Sequence, residues 1–135
     1  MLNEEKSVFG GRIINLFVIT VIFIVFAGSV STQERIKFKK GEISATVEGG
    51  IARGETYSYL AGASKNQFMT VTIMSVEDNA VFQILDKSTG EYLPGTEVSS
   101  DTRRWEGILP STGDYKIVVG STRGGAEYTM MVVIE

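Results

Sequence analysis

The chain has 135 residues, 43% apolar and 21% charged, with 13 basic against 16 acidic side chains for a net charge of −3. That balance fits one globular domain plus a terminal segment, and it provides no overall basic field to gather nucleic acid. Cysteine and histidine are both absent, which removes disulfides, thiol nucleophiles, the usual zinc ligand sets and every relay that passes a proton through imidazole.

At the N-terminus, Lys6 and Arg12 precede "IINLFVITVIFIVFA", Ile13 to Ala27, and the small and polar residues "GSVSTQ" come next. A short basic region, an apolar stretch and small residues at Val25-Phe26-Ala27 or Ala27-Gly28-Ser29 have the form of a secretory signal with its cleavage site. The uncharged span 13–33 also reaches the roughly 20 residues that a helix needs to cross a bilayer. Residues 1–33 are therefore expected to form one hydrophobic helix, either a cleaved signal peptide or an uncleaved signal anchor. If uncleaved, 13–33 holds the chain in the cytoplasmic membrane. Arg35, Lys37, Lys39 and Lys40 outnumber the two cations before the span, which counts against export of the C-terminal portion. The β-rich character of that portion outweighs the count, and an extracytoplasmic location is expected.

From Arg35 onward the apolar period becomes two. "RIKFK" alternates Ile36 and Phe38 against cations, "ISATVE" (43–48) alternates Ile43, Ala45 and Val47 against polar neighbours, and "FMTVTIM" (68–74) sets Met69, Val71 and Ile73 against Thr70 and Thr72. Such alternation marks half-buried strands. "TYSYLA" (56–61), "AVFQILD" (80–86), "RRWEGIL" (103–109), "YKIVVG" (115–120) and "YTMMVVIE" (128–135) complete a set of about eight. Between them lie short stretches such as "EGG", "EDN", "PSTGD" and "STRGGAE", whose Gly, Asn, Asp and Pro supply turn geometry. No helical period occurs after residue 31. The expected fold is all-β, an antiparallel β-sandwich or jelly roll over 34–135, preceded by the N-terminal helix.

The stretches "RIKFKKGEISATVEGGI", "YLAGASKNQFMTVTI", "NAVFQIL" and "WEGILPSTGDYKIVVGSTRGGAEYTMMVVI" resemble, in order and spacing, the bacterial periplasmic inhibitors of g-type and i-type lysozymes. They are also similar to the broader group of pre-peptidase C-terminal β-sandwiches. In the inhibitors a Ser-Gly-x-Tyr loop enters the substrate cleft of the lysozyme. Thr112-Gly113-Asp114-Tyr115 stands at that place here, with Ser111 one residue earlier. The resemblance implies a partner-binding set of Ser111, Thr112, Gly113, Asp114 and Tyr115, with loop 110–115 plugging the cleft. It also implies a second contact loop in "STRGGAE", where Arg123 would grip the rim.

A purely structural reading of the same tetrad competes with that one. Gly-x-Tyr at a strand entry places the glycine at a positive φ and buries the tyrosine ring, whose hydroxyl then ties down nearby backbone, as in the tyrosine corner of other sandwiches. One ring cannot easily fill both roles, so exposure of Tyr115 decides between them. Trp105 is expected at the core with Arg103 and Arg104 on its solvated side. Glu77, Asp78, Asn79 and Asp86 have calcium-type oxygens but no ligand spacing, and read as polar turns. Asp101, Glu106 and Asp114 show no pattern that would converge two carboxylates on one pocket.

The sequence thus points to an exported protein-binding module, not an enzyme, with no cofactor or metal. Its partner would be a lysozyme-like enzyme blocked by loop insertion. Alternatively, the chain is a single-pass accessory subunit whose helix packs among the subunits of a membrane complex, Asn15 and Thr20 bonding to a neighbouring helix.

Overall fold

The alternation seen in the sequence becomes two β-sheets in the structure, a computed structural model that describes residues 33–135. The expected N-terminal helix and its cleavage sites lie outside the described residues. No helix among the described residues is long and apolar enough to cross a membrane. Nine strands occur in chain order: β1 (Gln33–Arg35), β2 (Ser44–Ile51), β3 (Tyr57–Ala63), β4 (Phe68–Ser75), β5 (Ala80–Asp86), β6 (Glu91–Tyr92), β7 (Arg104–Ile108), β8 (Gly113–Ser121) and β9 (Ala126–Ile134). One sheet has the order β1-β3-β8-β5-β6 and the other β2-β9-β4-β7. The fold is the expected all-β sandwich.

The core lies between the sheets and is built from the residues whose parity faces inward. Met69, Val71 and Ile73 of β4 meet Met130 and Val132 of β9 on one side, and Tyr59, Ala61, Phe82, Ile84, Ile117 and Val119 come from the other sheet; all are almost fully buried. Burying a large aliphatic side chain contributes roughly 1.5–3 kcal/mol, so this set supplies most of the driving force for folding. Trp105 sits half-buried at the core margin and donates its Nε1–H to the Pro94 carbonyl at 2.9 Å. Its ring covers Gly107, where a Cβ would come within 2.8 Å of the indole. Gly49 serves a similar close approach, because a Cβ there would stand 2.6 Å from the Tyr128 hydroxyl. That hydroxyl shares a buried hydrogen bond of 2.6 Å with Tyr59.

Two details differ from the sequence reading. The first strand is not the alternating "RIKFK" but Gln33–Arg35, and it pairs with β3 in parallel, an exception to the antiparallel expectation. Ile36 and Phe38 still pack on the core as their alternation predicts, and the Ile36 amide donates to Leu60 at 2.8 Å. The ladder ends there as the chain crosses to β2 in the other sheet. The short β6 was not expected, since two residues cannot show a period.

The register fixes the direction of every connection. β8 runs from Gly113 to Ser121 against both β3 and β5. The loops before Gly113, after Ala63 and after Asp86 therefore share one end of the sandwich. The loops after Ser121, after Ser75 and before Tyr57 share the other. Because β1 runs with β3, the chain enters the sandwich from the Ser121 side.

Candidate functional site

The end of the sandwich at Gly113 gathers loops 64–67, 87–90 and 109–112 beside the crossing from β1 to β2. Gly113 has a φ of 145° with open space where a Cβ would be. The position requires glycine for its backbone angle, not for lack of room. Beyond it Tyr115 turns inward and is fully buried. Its hydroxyl donates to the Ser111 carbonyl at 2.6 Å and accepts from the Ser111 amide at 3.1 Å. That is the geometry of a tyrosine corner: the ring fills the core while its one polar atom pins the loop four residues back. Tyr115 therefore has no surface to offer a partner and passes from candidate contact to support.

Ser111 is held from a second side. Its hydroxyl donates to Oδ2 of Asp86, a carboxylate only 2% exposed, and lies 2.9 Å from the Ser88 hydroxyl. Ser88 in turn donates to Asp86 Oδ1 from its amide at 2.9 Å and its hydroxyl at 2.7 Å. Burial pushes the Asp86 pKa up, but the hydrogen bonds from Ser111, Ser88 and the Thr89 amide outweigh it and hold the carboxyl below its usual range. A buried charge is tolerable only with such compensation. Ser111 is thus half-buried and occupied, a second structural member of the expected contact set.

Thr112 and Gly113 remain exposed at the tip. The Thr112 Oγ1 accepts from the Lys65 amide at 2.9 Å, which leaves its own O–H free to donate outward. Asp114 lies on the outer sheet face, where both its oxygens receive the Arg35 guanidinium at 2.9 and 2.8 Å. The hydrogen bonds from Arg35 hold the Asp114 carboxyl low against an opposing cost of burial, and the charges of Arg35 and then Lys87 add to the lowering. Arg35 reaches Asp114 across Gly62, where a Cβ would lie 3.6 Å from the guanidinium and 3.5 Å from the carboxylate.

Arg123 stands apart. It lies on the loop after Ser121, at the opposite end of β8, and nine extended residues separate the two loops by roughly 26 Å. The structure places the two expected contact loops at opposite ends of β8. The Arg123 side chain instead folds onto its own end, donating from Nη2 to the Glu77 carbonyl at 2.9 Å. Buried Asn79 fastens the same loop by donating to the carbonyls of Arg123 and Gly125, both at 2.9 Å. Glu77, Asp78 and Asn79 also sit a strand's length from Asp86, so the four oxygen-bearing residues do not meet. Among the described residues no three acidic groups are placed to hold a metal ion. Sequence reasoning missed Asp86 and Ser88 as supports of the 109–112 loop, since nothing in the order of residues links 86–88 to 111.

The two sheets define a class by their fold, a β-sandwich like those of periplasmic lysozyme inhibitors and of a pre-peptidase C-terminal domain. A periplasmic inhibitor of g-type lysozyme from Aeromonas hydrophila matches with a TM-score of 0.66 and 26% identity, over 77% of this chain and 96% of that one. The corresponding inhibitor from Salmonella Typhimurium matches at 0.62 and 20% identity, over 77% and 98%. The pre-peptidase C-terminal domain of a Bacillus anthracis collagenase matches at 0.60 and 14% identity, over 78% and 98%. No family model and no curated protein matches the chain. At these identities the likeness is one of fold.

Proposed function

We propose that this chain is an exported protein-binding module that inhibits a peptidoglycan-cleaving lysozyme by presenting the tip Thr112-Gly113 to the enzyme's cleft. The observation that carries the reading is the loop's construction. Ser111 is clamped from within, its backbone by Tyr115 and its hydroxyl by Asp86, while the tip stays exposed. A clamped loop loses little freedom when it binds, and that lowers the cost of association. The fold shared with periplasmic inhibitors of g-type lysozyme supports the enzyme class, the non-enzymatic role and an extracytoplasmic location.

In this mechanism Thr112 donates its hydroxyl to a polar group in the cleft, Gly113 lets backbone approach closely, and Ser111, Asp114 and Tyr115 keep the tip in shape. Arg123 takes no part. The test is the rate at which a g-type lysozyme clears peptidoglycan as this protein is added. The wild-type chain should inhibit, and Thr112→Tyr, which enlarges an exposed tip and leaves the Lys65 amide to water, should weaken inhibition at least tenfold while the protein stays folded, with only a small fall in melting temperature. Absence of inhibition by the wild-type chain, or full inhibition by the variant, would refute the reading.

A further inference from the structure

Three of the four sheet edges are short or guarded by charge. β1 and β6 have three and two residues, and β7 carries Arg104 and Glu106 as an outward ion pair. The fourth edge, β2, runs eight residues without a proline, a lysine or a break in its register with β9. The Ile134 amide donates to the Ile43 carbonyl at 2.8 Å, which sets the parity of that ladder. Ala45, Val47, Gly49 and Ile51 therefore bond to β9. The N–H and C=O groups of Ser44, Thr46, Glu48 and Gly50 point away from the sheet, and nothing among the described residues bonds to them. Along the inner margin of the strand Ala45 and Val47 are only half-buried, and Ile43 just before it is 51% exposed.

We infer that β2 is a self-association edge, which pairs antiparallel with β2 of a second copy and joins two four-stranded sheets into one. Charge makes the second copy the occupant. The crossing at the Ser44 end exposes Lys37, Lys39 and Lys40 against Glu42 and Glu135, so that end is net positive. The Ile51 end exposes Glu48, Glu55 and Glu127 against Arg53 and is net negative. None of these groups is in an ion pair among the described residues. A twofold axis across β2 sets the basic end of each copy beside the acidic end of the other. Pairing centred on Thr46 places each Glu48 opposite Ser44 of the other copy, whereas pairing centred on Glu48 would oppose like charges. It also sets Ala45 opposite Val47 of the other copy, so the half-covered apolar margin closes on itself. Main-chain hydrogen bonds hold the contact, as when any extended segment adds to a free edge. The pairing does not depend on the lysozyme reading: the axis turns the two Gly113 ends in opposite directions, and each copy keeps its own tip.

The chain has no cysteine of its own, so Thr46→Cys places a single thiol at the centre of the contact. Mild oxidation of the full chain carrying it should give a disulfide-linked dimer as the main product. Glu106→Cys, on the other edge of the same sheet, should stay monomeric under the same conditions. Adding Glu48→Pro to Thr46→Cys removes an outward N–H and no bond to β9, a place where an edge strand tolerates proline. The dimer yield should then fall by about tenfold, with the melting temperature within a few degrees of the Thr46→Cys protein. Absence of a dimer from Thr46→Cys, an equal yield from Glu106→Cys, or a yield that Glu48→Pro leaves unchanged would overturn the inference. A Thr46→Cys thiol that links to a different protein would overturn it too, in favour of a foreign strand on this edge.

Discussion

Tyr115 joins two tasks that are separable by substitution. Its ring fills the core, and its hydroxyl satisfies both the amide and the carbonyl of Ser111. Removing the ring should cost about 3–5 kcal/mol, as for other buried aromatics. Tyr115→Phe keeps the ring and strands two backbone groups, at a cost of about 1–3 kcal/mol. Urea unfolding of the two variants measures the difference. A Tyr115→Ala protein as stable as the wild type would show that the ring is not part of the core. The choice between a recognition tip and a structural corner could be framed from the sequence alone, because Gly-x-Tyr before a strand fits both. Only the inward turn of the ring resolves it.

At the scale of elements, the Gly113 end is tied together by two carboxylates on neighbouring strands. Asp86 at the end of β5 holds loop 109–112, and Asp114 on β8 holds β1 through Arg35. Both carboxyls titrate lower in the folded chain than their ordinary value, so the folded form binds fewer protons than the unfolded one. The stability they contribute is complete above the unfolded pKa of about 4 and is lost as pH falls through their folded values. The melting temperature should therefore drop as pH falls below about 5. In Asp114→Asn it should start lower and drop less. A variant with the same acid limb as the wild type would remove Asp114 from the account.

Strand alternation made β4, β5, β8 and β9 readable, since each has one face in the core and one in water. β1 was misplaced by two residues because Ile36 and Phe38 alternate as a strand does, yet bury themselves in a connection that is leaving the sheet. The separation of Arg123 from the tip was not legible for a related reason. Loops 110–115 and 120–127 are neighbours in sequence, and the strand between them is what drives them apart.

For the whole molecule, the consequence is polarity along the strand direction. One end carries the clamped tip. The other carries the chain's entry into β1 together with the Asn79-fastened loop of Arg123. A single partner engaging the tip should leave the far end untouched. Hydrogen exchange of the protein with and without a saturating g-type lysozyme tests this most directly. Protection confined to 109–114 and the flanking 64–66 and 87–89 is the result expected. Protection centred on 122–125 or on a sheet face, or no protection anywhere, would contradict it.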